Sequence, residues 1–552
     1  MYKPIIINVL NSIFYHILGI YILMNRYIVS KLLSFQFGGD IKWRTFSHNG
    51  VLFPPEYTPH NIPLKYMGNP VSLTNEQEEM AMAYAKYIDS DYVKNKVFNK
   101  NFFHDFKKIL GPNSPIKSLE LCDFSEYKLL IDKNKEKSKS QPQPKPDESK
   151  YKTAIIDGKP EPVGNYRIEP PGIFIGRGTN PNLGRIKKRI YPEDIIINID
   201  KNSPIPVPNL NGHKWKQVIH DRHVEWLASW KDTITNKTKY VWLGSGSDMK
   251  SSNDIMKFDL ARKLKKKIKN IILKNNINLL SDDNVLKQIS TCLYLIDKLA
   301  LRVGNEKSSD ETDTVGVTSL RVEHIKLLPN NKIVLDFLGK DSVRYLNTIT
   351  IDSNVYNNLQ EFTKNKQPDD QLFDLVSSSD INKYLQTFMG GLTAKVFRTY
   401  NASNIFQKEL KKINNKYSET KPDTKTLLDE FAKANIKVAL LCNHQKNVGK
   451  SFKPQIDRIN IQIKKVKSSV GKTSNPDKIK KLKKQILSLK SKKEIKSQMK
   501  NISLGTSKAN YIDPRITIAF MKKYDIPVDK VFSKALQAKF AWAFNIDENF
   551  KF

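Results

Sequence analysis

Apolar and polar positions divide the chain into stretches of different period. Residues 41–57, IKWRTFSHNGVLFPPEY, alternate and are broken by prolines, which predicts strands and turns. Helical spacing follows over Thr74 to Tyr87 and around Phe98 to Leu110. Residues 133–151, KNKEKSKSQPQPKPDESKY, hold almost nothing apolar and are expected to be a solvated loop or linker. A turn-rich β region covers 169–198, and β sequence continues to about Leu243. From Ile255 to about Ala300 the period is helical. Residues 333–351, IVLDFLGKDSVRYLNTITI, alternate on both sides of Gly339-Lys340-Asp341-Ser342 and predict a hairpin with that turn at its tip. Mostly helical sequence runs on to about residue 445.

Residues 453–498 form a separate unit. Ile456, Ile459, Ile463 and Val466 are spaced 3, 4, 3, and so are Ile479, Leu482, Ile486 and Leu489. Between them, Asn475 is placed as an N-cap and Pro476 at the first helical position. The pattern predicts an antiparallel helical hairpin with an a/d seam. Lys446 to Lys500 holds 18 basic and three acidic residues, so this arm carries +15 of the charge of the chain.

Composition narrows the function. A chain of 552 residues is too long for one core and implies three or four domains. Lys and Arg total 92 against 56 Asp and Glu, a formal net charge of +36 that solubility does not require. Such a surplus marks a polyanion binder, with nucleic acid the leading partner and an anionic membrane the lesser one. The 39% hydrophobic fraction is enough for folded cores, which excludes a basic disordered tail.

Cys122, Cys292 and Cys442 are widely separated, so neither a disulfide framework nor a cysteine zinc site is expected, and a reducing compartment fits. The first 39 residues contain no acid, and Ile5 to Leu23 is mostly apolar but interrupted by Asn8, Asn11 and His16. A spanning helix needs roughly 20 apolar residues, so this is a borderline anchor, read here as a non-essential extension outside the fold.

Two nucleotide motifs fail on spacing. VGKS (448–451) and VGKT (470–473) end like a P-loop, but His444 and Val466 stand where its first glycine belongs. Gly176-Arg177-Gly178 lacks the third glycine of a dinucleotide fingerprint. No metal-binding carboxylate cluster stands out. Phosphodiester chemistry without metal or ATP needs basic side chains on the non-bridging oxygens and a side-chain nucleophile. Basic residues set in apolar surroundings are therefore singled out: Arg302, Lys340 on the hairpin tip, Arg398 and His444. Tyr511, between Thr506-Ser507-Lys508 and Asp513-Pro514, is the candidate nucleophile.

LRVGNEK, VTSLRVEHI, FLGKDSVRYLN, LTAKVFRTYNAS, LCNHQ and LGTSKANYIDPRI resemble the eukaryotic-type DNA topoisomerase I family, type IB. So do KRIYPEDIIIN, GHKWKQVIHD and the closing KFAWAF, and the likeness covers roughly Ile41 to Phe552 in order. It implies ATP-independent relaxation of supercoiled DNA through a transient single-strand break and a 3′-phosphotyrosyl intermediate, with neither cofactor nor obligatory metal. Tyr511 then resembles the nucleophile, and Arg302, Arg398 and His444 the groups that hold the scissile phosphate. Lys340 resembles the general acid for the leaving 5′-oxygen. Arg177, Trp226, Lys239, Tyr240, Lys257, Lys307, Thr314, Thr393, Ala394, Lys395 and Asn510 fall on DNA-contact positions of the family. Ile175 stands where the family usually has an arginine, which removes one expected contact. The long charged N-terminal tail of cellular members, with its nuclear targeting, is not seen here.

The expected fold is α+β, a multidomain DNA clamp. Its parts are a hydrophobic extension (1–40), a mixed N-terminal lobe (41–236) and a mainly helical catalytic lobe like that of tyrosine recombinases (237–447). A coiled-coil linker (448–498) and a small C-terminal domain with the nucleophile (499–552) complete it. The expected partner is double-stranded DNA bound by a monomer, with no small-molecule substrate and no membrane. The location expected is the nucleus or another intracellular DNA compartment, such as a viral factory or virion. A tyrosine recombinase and a catalytically silent basic DNA-binding protein are the alternatives.

Overall fold

The computed structural model describes residues 41–141, 146–305, 312–420, 422–445, 448 and 451–552. The N-terminal extension and Lys307 lie outside the described residues. The chain forms two units. One holds the described residues up to Ile175 together with Asn182–Asp248; the other holds Gly176–Pro181 and Met249–Phe552. Helices and small sheets occur in both, a mixed α+β architecture.

In the first unit a four-stranded sheet runs in the order Gln217–Ile219, Ile196–Asn198, Trp226–Lys231, Thr238–Trp242. Only its first pair is parallel. The helix Asn75–Ala85 starts where Thr74 and Gln77 form a reciprocal capping box. The helix Lys96–Leu110 buries Phe98, Phe102 and Phe106, spaced four apart on one face. Tyr84 stacks on Phe102 at 4.4 Å between centroids. Ile175 packs against this core, an apolar setting in which the missing arginine would lose hydration.

The linker expected over 133–151 is corrected in its first half. The helix Ser125–Ser140 runs through it, anchored by buried Tyr127 and Ile131. Its later residues are all exposed. Helix-forming lysines and Glu136 extend a helix nucleated upstream, without any apolar face of their own.

The second unit packs the helices Asp248–Asn278, Asn284–Leu299, Ser353–Thr363, Ser378–Phe388, Ala394–Lys416 and Thr424–Leu441 around one large core. The helical pattern of 255–300 is thus two helices, the second capped by Asp283 on the amides of Val285 and Leu286. The expected hairpin forms from Lys332–Gly339 and Val343–Thr350, in register from Lys332–Thr350 to Gly339–Val343. A third strand, Ile325–Leu328, joins it. Asn330 and Asn331, both at positive φ, make the tight turn between them. Its four-residue length hid it in the sequence.

The basic arm consists of the helices Phe452–Gly471 and Pro476–Gln498, with the Asn475 side chain accepting from the Lys478 amide at 3.1 Å. All eight seam residues are at least half-covered while most of the lysines between them are exposed. At its base, Ile495 packs with Ile436, Ala439 and Ile502. Among the described residues no helix is long and apolar enough to cross a membrane.

Candidate active site

Arg302 is reached through a left-handed turn. The helix Asn284–Leu299 stops at Ala300, which is buried at φ +47. That conformation costs a residue with a Cβ about 1–2 kcal/mol. The segment beyond it is held by hydrogen bonds from the Val317 amide to Arg302 O (2.9 Å) and from the Thr318 amide to Val303 O (2.7 Å). Gly304, at φ +89, and Gly316 make this approach possible, since a Cβ on Gly304 would lie 2.6 Å from Gly316 Cα.

Arg398 lies on the helix Ala394–Lys416 and is only 5% exposed. Its Nη1 donates to Ala300 O at 2.9 Å, and its Nη2 donates to Cys442 O. Nη2 also lies 3.5 Å from His444 Nε2. Of five guanidinium N–H groups, three are therefore committed to fixing the side chain. Its Cζ sits 5.0 Å from the centre of the Tyr511 ring, within cation–π range. Burial lowers its pKa, partly offset by Cys442 and Tyr511.

His444 follows the helix Thr424–Leu441 and is also 5% exposed. Its Nδ1 lies 2.7 Å from the hydroxyl of fully buried Ser507. Burial, then the charges of Arg398 and Arg302, push its pKa down to about 3, so the ring is neutral at physiological pH.

Tyr511 ends the short helix Leu504–Asn510, with its amide donating to Ser507 O at 2.9 Å. Ser403, fully buried on the Arg398 helix, donates to Tyr511 O at 3.1 Å and accepts from the Asp513 amide at 3.0 Å. Asp513 then caps the helix Pro514–Lys523 through the Arg515 amide. Asp513-Pro514 thus marks the joint between two helices, and the tyrosine sits at that joint.

Lys340 opens the turn Lys340–Ser342 at the hairpin tip, exposed and beside Asp341 at φ +68. Asp341 pairs with Arg177 at 2.5 Å. Gly178 packs so closely on this tip that a Cβ there would lie 2.3 Å from Ser342 Oγ.

One cavity of about 670 Å³ collects most of these groups. Arg302, Lys340, Arg398 and Tyr511 line it, as do Lys257, Thr314, Ala394, Lys395 and Asn510. His444 reaches it through its contacts with Arg398 and Tyr511. Thr393 is the residue before the helix that brings Ala394 and Lys395. Burial lowers the Lys257 ammonium against the pull of Asp254, 2.7 Å away.

Trp226, Lys239 and Tyr240 lie on two adjacent strands of the first unit. The Trp226 and Tyr240 rings are 5.6 Å apart, and Lys239 is paired with Asp232 at 2.8 Å and Glu169 at 3.2 Å. Among the described residues no group of three or more His, Cys, Asp and Glu side chains is placed to hold a metal ion.

Sequence reasoning missed Ser507, Ser403 and Asp341. Ser507 had one available signal: it stands four residues before Tyr511, hence on the same helix face. Ser403 had none beyond its place on the Arg398 helix, five residues further along.

Residues 41–243 match the family description "Eukaryotic DNA topoisomerase I, DNA binding fragment" and residues 246–476 its "catalytic core". Residues 483–552 match the "C-terminal topoisomerase domain". DNA topoisomerase 1 alpha of Arabidopsis thaliana is 42% identical over 568 residues, covering 96% of this chain and 61% of the relative. DNA topoisomerase 1 of Caenorhabditis elegans is 41% identical over 555 residues, covering 93% and 68%. For DNA topoisomerase 1 of Homo sapiens the identity is 39% over 560 residues, covering 93% and 72%. The chain thus spans about three fifths of the length of the plant relative. Matched in order along both of its units, the chain belongs to the eukaryotic DNA topoisomerase I family.

Proposed function

We propose that the protein relaxes supercoiled double-stranded DNA as a type IB topoisomerase. In this reading Tyr511 Oη attacks the scissile phosphorus, losing its proton to solvent. The P–O5′ bond breaks, and the 5′-oxygen takes a proton from Lys340. A 3′-phosphotyrosyl bond remains, so the energy of the phosphodiester is conserved while the free strand rotates. Attack by the 5′-hydroxyl then restores the backbone and releases Tyr511. Arg302, Arg398 and His444 hold the non-bridging oxygens, where preorganised donors stabilise developing charge.

The observation that carries this reading is the convergence of Arg302, Lys340, Arg398 and Tyr511 on one cavity, with His444 stacked on the tyrosine. Family membership implies no ATP requirement; independence from metal is part of the proposal. Duplex DNA is the partner, engaged by a monomer through phosphate contacts to its +36 charge. The same reading places the protein in an intracellular DNA compartment and off membranes. A recombinase or a silent DNA binder is not favoured, given the match to topoisomerase I descriptions along 41–552. Relaxation of a plasmid with no target site, in EDTA and without ATP, tests the reading. Loss of supercoils without any site requirement supports it, and inactivity of the intact chain would overturn it.

A further inference from the structure

Ser507 takes no part in the chemistry above, yet it is fully buried with its hydroxyl 2.7 Å from His444 Nδ1. On the other side of the ring, Nε2 faces Arg398 Nη2 at 3.5 Å. A guanidinium only donates hydrogen bonds. Nε2 is therefore the bare nitrogen, and the one proton of the neutral ring sits on Nδ1, donated to Ser507 Oγ.

That arrangement does not suit a phosphate. A non-bridging oxygen only accepts, so a histidine that binds it must present N–H at Nε2. A second proton on the ring is opposed by its surroundings. Burial disfavours an imidazolium there, and Arg398 and Arg302 face it with positive charge. The remaining route is a change of tautomer: one proton leaves Nδ1, one is taken up at Nε2, and the net charge of the ring is unchanged.

We infer that Ser507 is a positioning residue whose hydroxyl serves both tautomers of His444. It accepts from Nδ1–H in the DNA-free protein and donates to the bare Nδ1 once Nε2–H turns to the phosphate. A hydroxyl can do both, whereas a carboxylate or a backbone carbonyl at this place would lock the proton on Nδ1. The inference rests on the reading of His444 as a phosphate ligand. It also accounts for the pairing of a fully buried hydroxyl with the ring: an unpaired ring nitrogen there would carry the desolvation cost of a buried polar group.

The test is nitrogen NMR of ¹⁵N-histidine-labelled protein carrying Tyr511→Phe, free and bound to a duplex oligonucleotide, with the His444 signals assigned from a His444→Asn sample. Expected is a proton on Nδ1 in the free protein and on Nε2 in the complex. The same tautomer in both states, or an imidazolium in the complex, overturns the inference. Kinetics supply the second arm. In the otherwise unsubstituted chain, Ser507→Ala should slow single-turnover cleavage about 10- to 100-fold, the loss seen when partners that orient metal-bound histidines are removed, and Ser507→Thr should restore most of the rate. An Ala variant within about twofold of the unsubstituted protein would overturn the role, well outside the loss expected of an orienting residue. If the unsubstituted chain forms no covalent adduct at all, the assignment of the active site fails instead; a normal adduct with an unchanged tautomer fails only Ser507.

Discussion

The rings of His444 and Tyr511 are stacked, with centroids 5.2 Å apart and planes inclined by 26°. This one contact joins the end of the helix Thr424–Leu441 to the joint that carries the tyrosine. Arg398 closes the group from a third element, with its guanidinium 5.0 Å from the centre of the same ring. The phenol is therefore held by packing on two sides before any DNA is present, which limits the reorganisation left for the reaction itself.

Lys340 and Arg398 should separate by their response to the leaving group. Lys340 is exposed on a tip and free to reach an oxygen, whereas Arg398 is buried and anchored. Loss of a positioned acid typically costs about 10²- to 10⁴-fold, the slowing expected of Lys340→Ala. Replacing the bridging 5′-oxygen by sulfur, which needs no proton to leave, should remove most of that deficit. Arg398→Ala acts on the non-bridging oxygens and should gain nothing from sulfur. Equal rescue of both variants would make Lys340 an electrostatic clamp.

Ser403 ties the backbone on both sides of Ile512 to the Arg398 helix. Ser403→Ala leaves the Asp513 amide without its acceptor in a fully buried place, at a cost of about 1–3 kcal/mol. The expected outcome is a lower Tm together with slower cleavage, at nearly unchanged DNA affinity. Unaltered cleavage in a measurably destabilised variant would show that the bridge serves the fold alone.

Stability should depend on pH through His444. Its folded pKa, about 3, lies below its ordinary 6.5, so the unfolded chain takes up the proton first as pH falls. The contribution of the neutral ring is complete above about pH 6.5 and is lost progressively below it. His48, in the first unit, is pushed down to about 4 by burial and acts with the same sign. In thermal unfolding of the DNA-free protein, His444→Gln should therefore reduce the loss of Tm between neutral and acidic pH. An unchanged slope would contradict the burial of the ring as a neutral group.

The seam of the basic arm was legible because its period repeats in both helices and the turn carries its own cap at Asn475. Arg398 and Lys340 stood out for another reason: each is a basic residue set in an otherwise apolar, structured segment. The site's supporting groups were not legible. Ser507 and Ser403 are ordinary small polar residues, and only the packing of helices more than 60 residues apart in sequence brings them to His444 and Tyr511. The left-handed turn at Ala300 was equally silent, because an alanine gives no sign of positive φ. Within 133–140 the sequence misled, since exposed lysines look alike on a helix and in a loop.

For the arm, the structure sharpens the deletion worth making. Ile495 packs into the base, so the segment to replace with a short flexible link is 456–489, with ten basic and two acidic residues. Most of these charges are exposed and screened beyond about 8 Å at physiological ionic strength. Binding should weaken more at low salt than at high, while cleavage persists. A loss of affinity that does not vary with salt would mean that the arm acts through packing.

Covalent trapping identifies the residue that attacks the DNA. The chain is incubated with a duplex in which cleavage releases a short 5′-hydroxyl oligonucleotide that diffuses away, and the adduct is digested and mapped by mass spectrometry. The 3′-phosphate is expected on Tyr511, with no adduct and nearly intact non-covalent binding in Tyr511→Phe, since phosphate contacts supply the affinity. An adduct that persists in Tyr511→Phe, or one mapped to any other residue or to the 5′ end of the DNA, would contradict it.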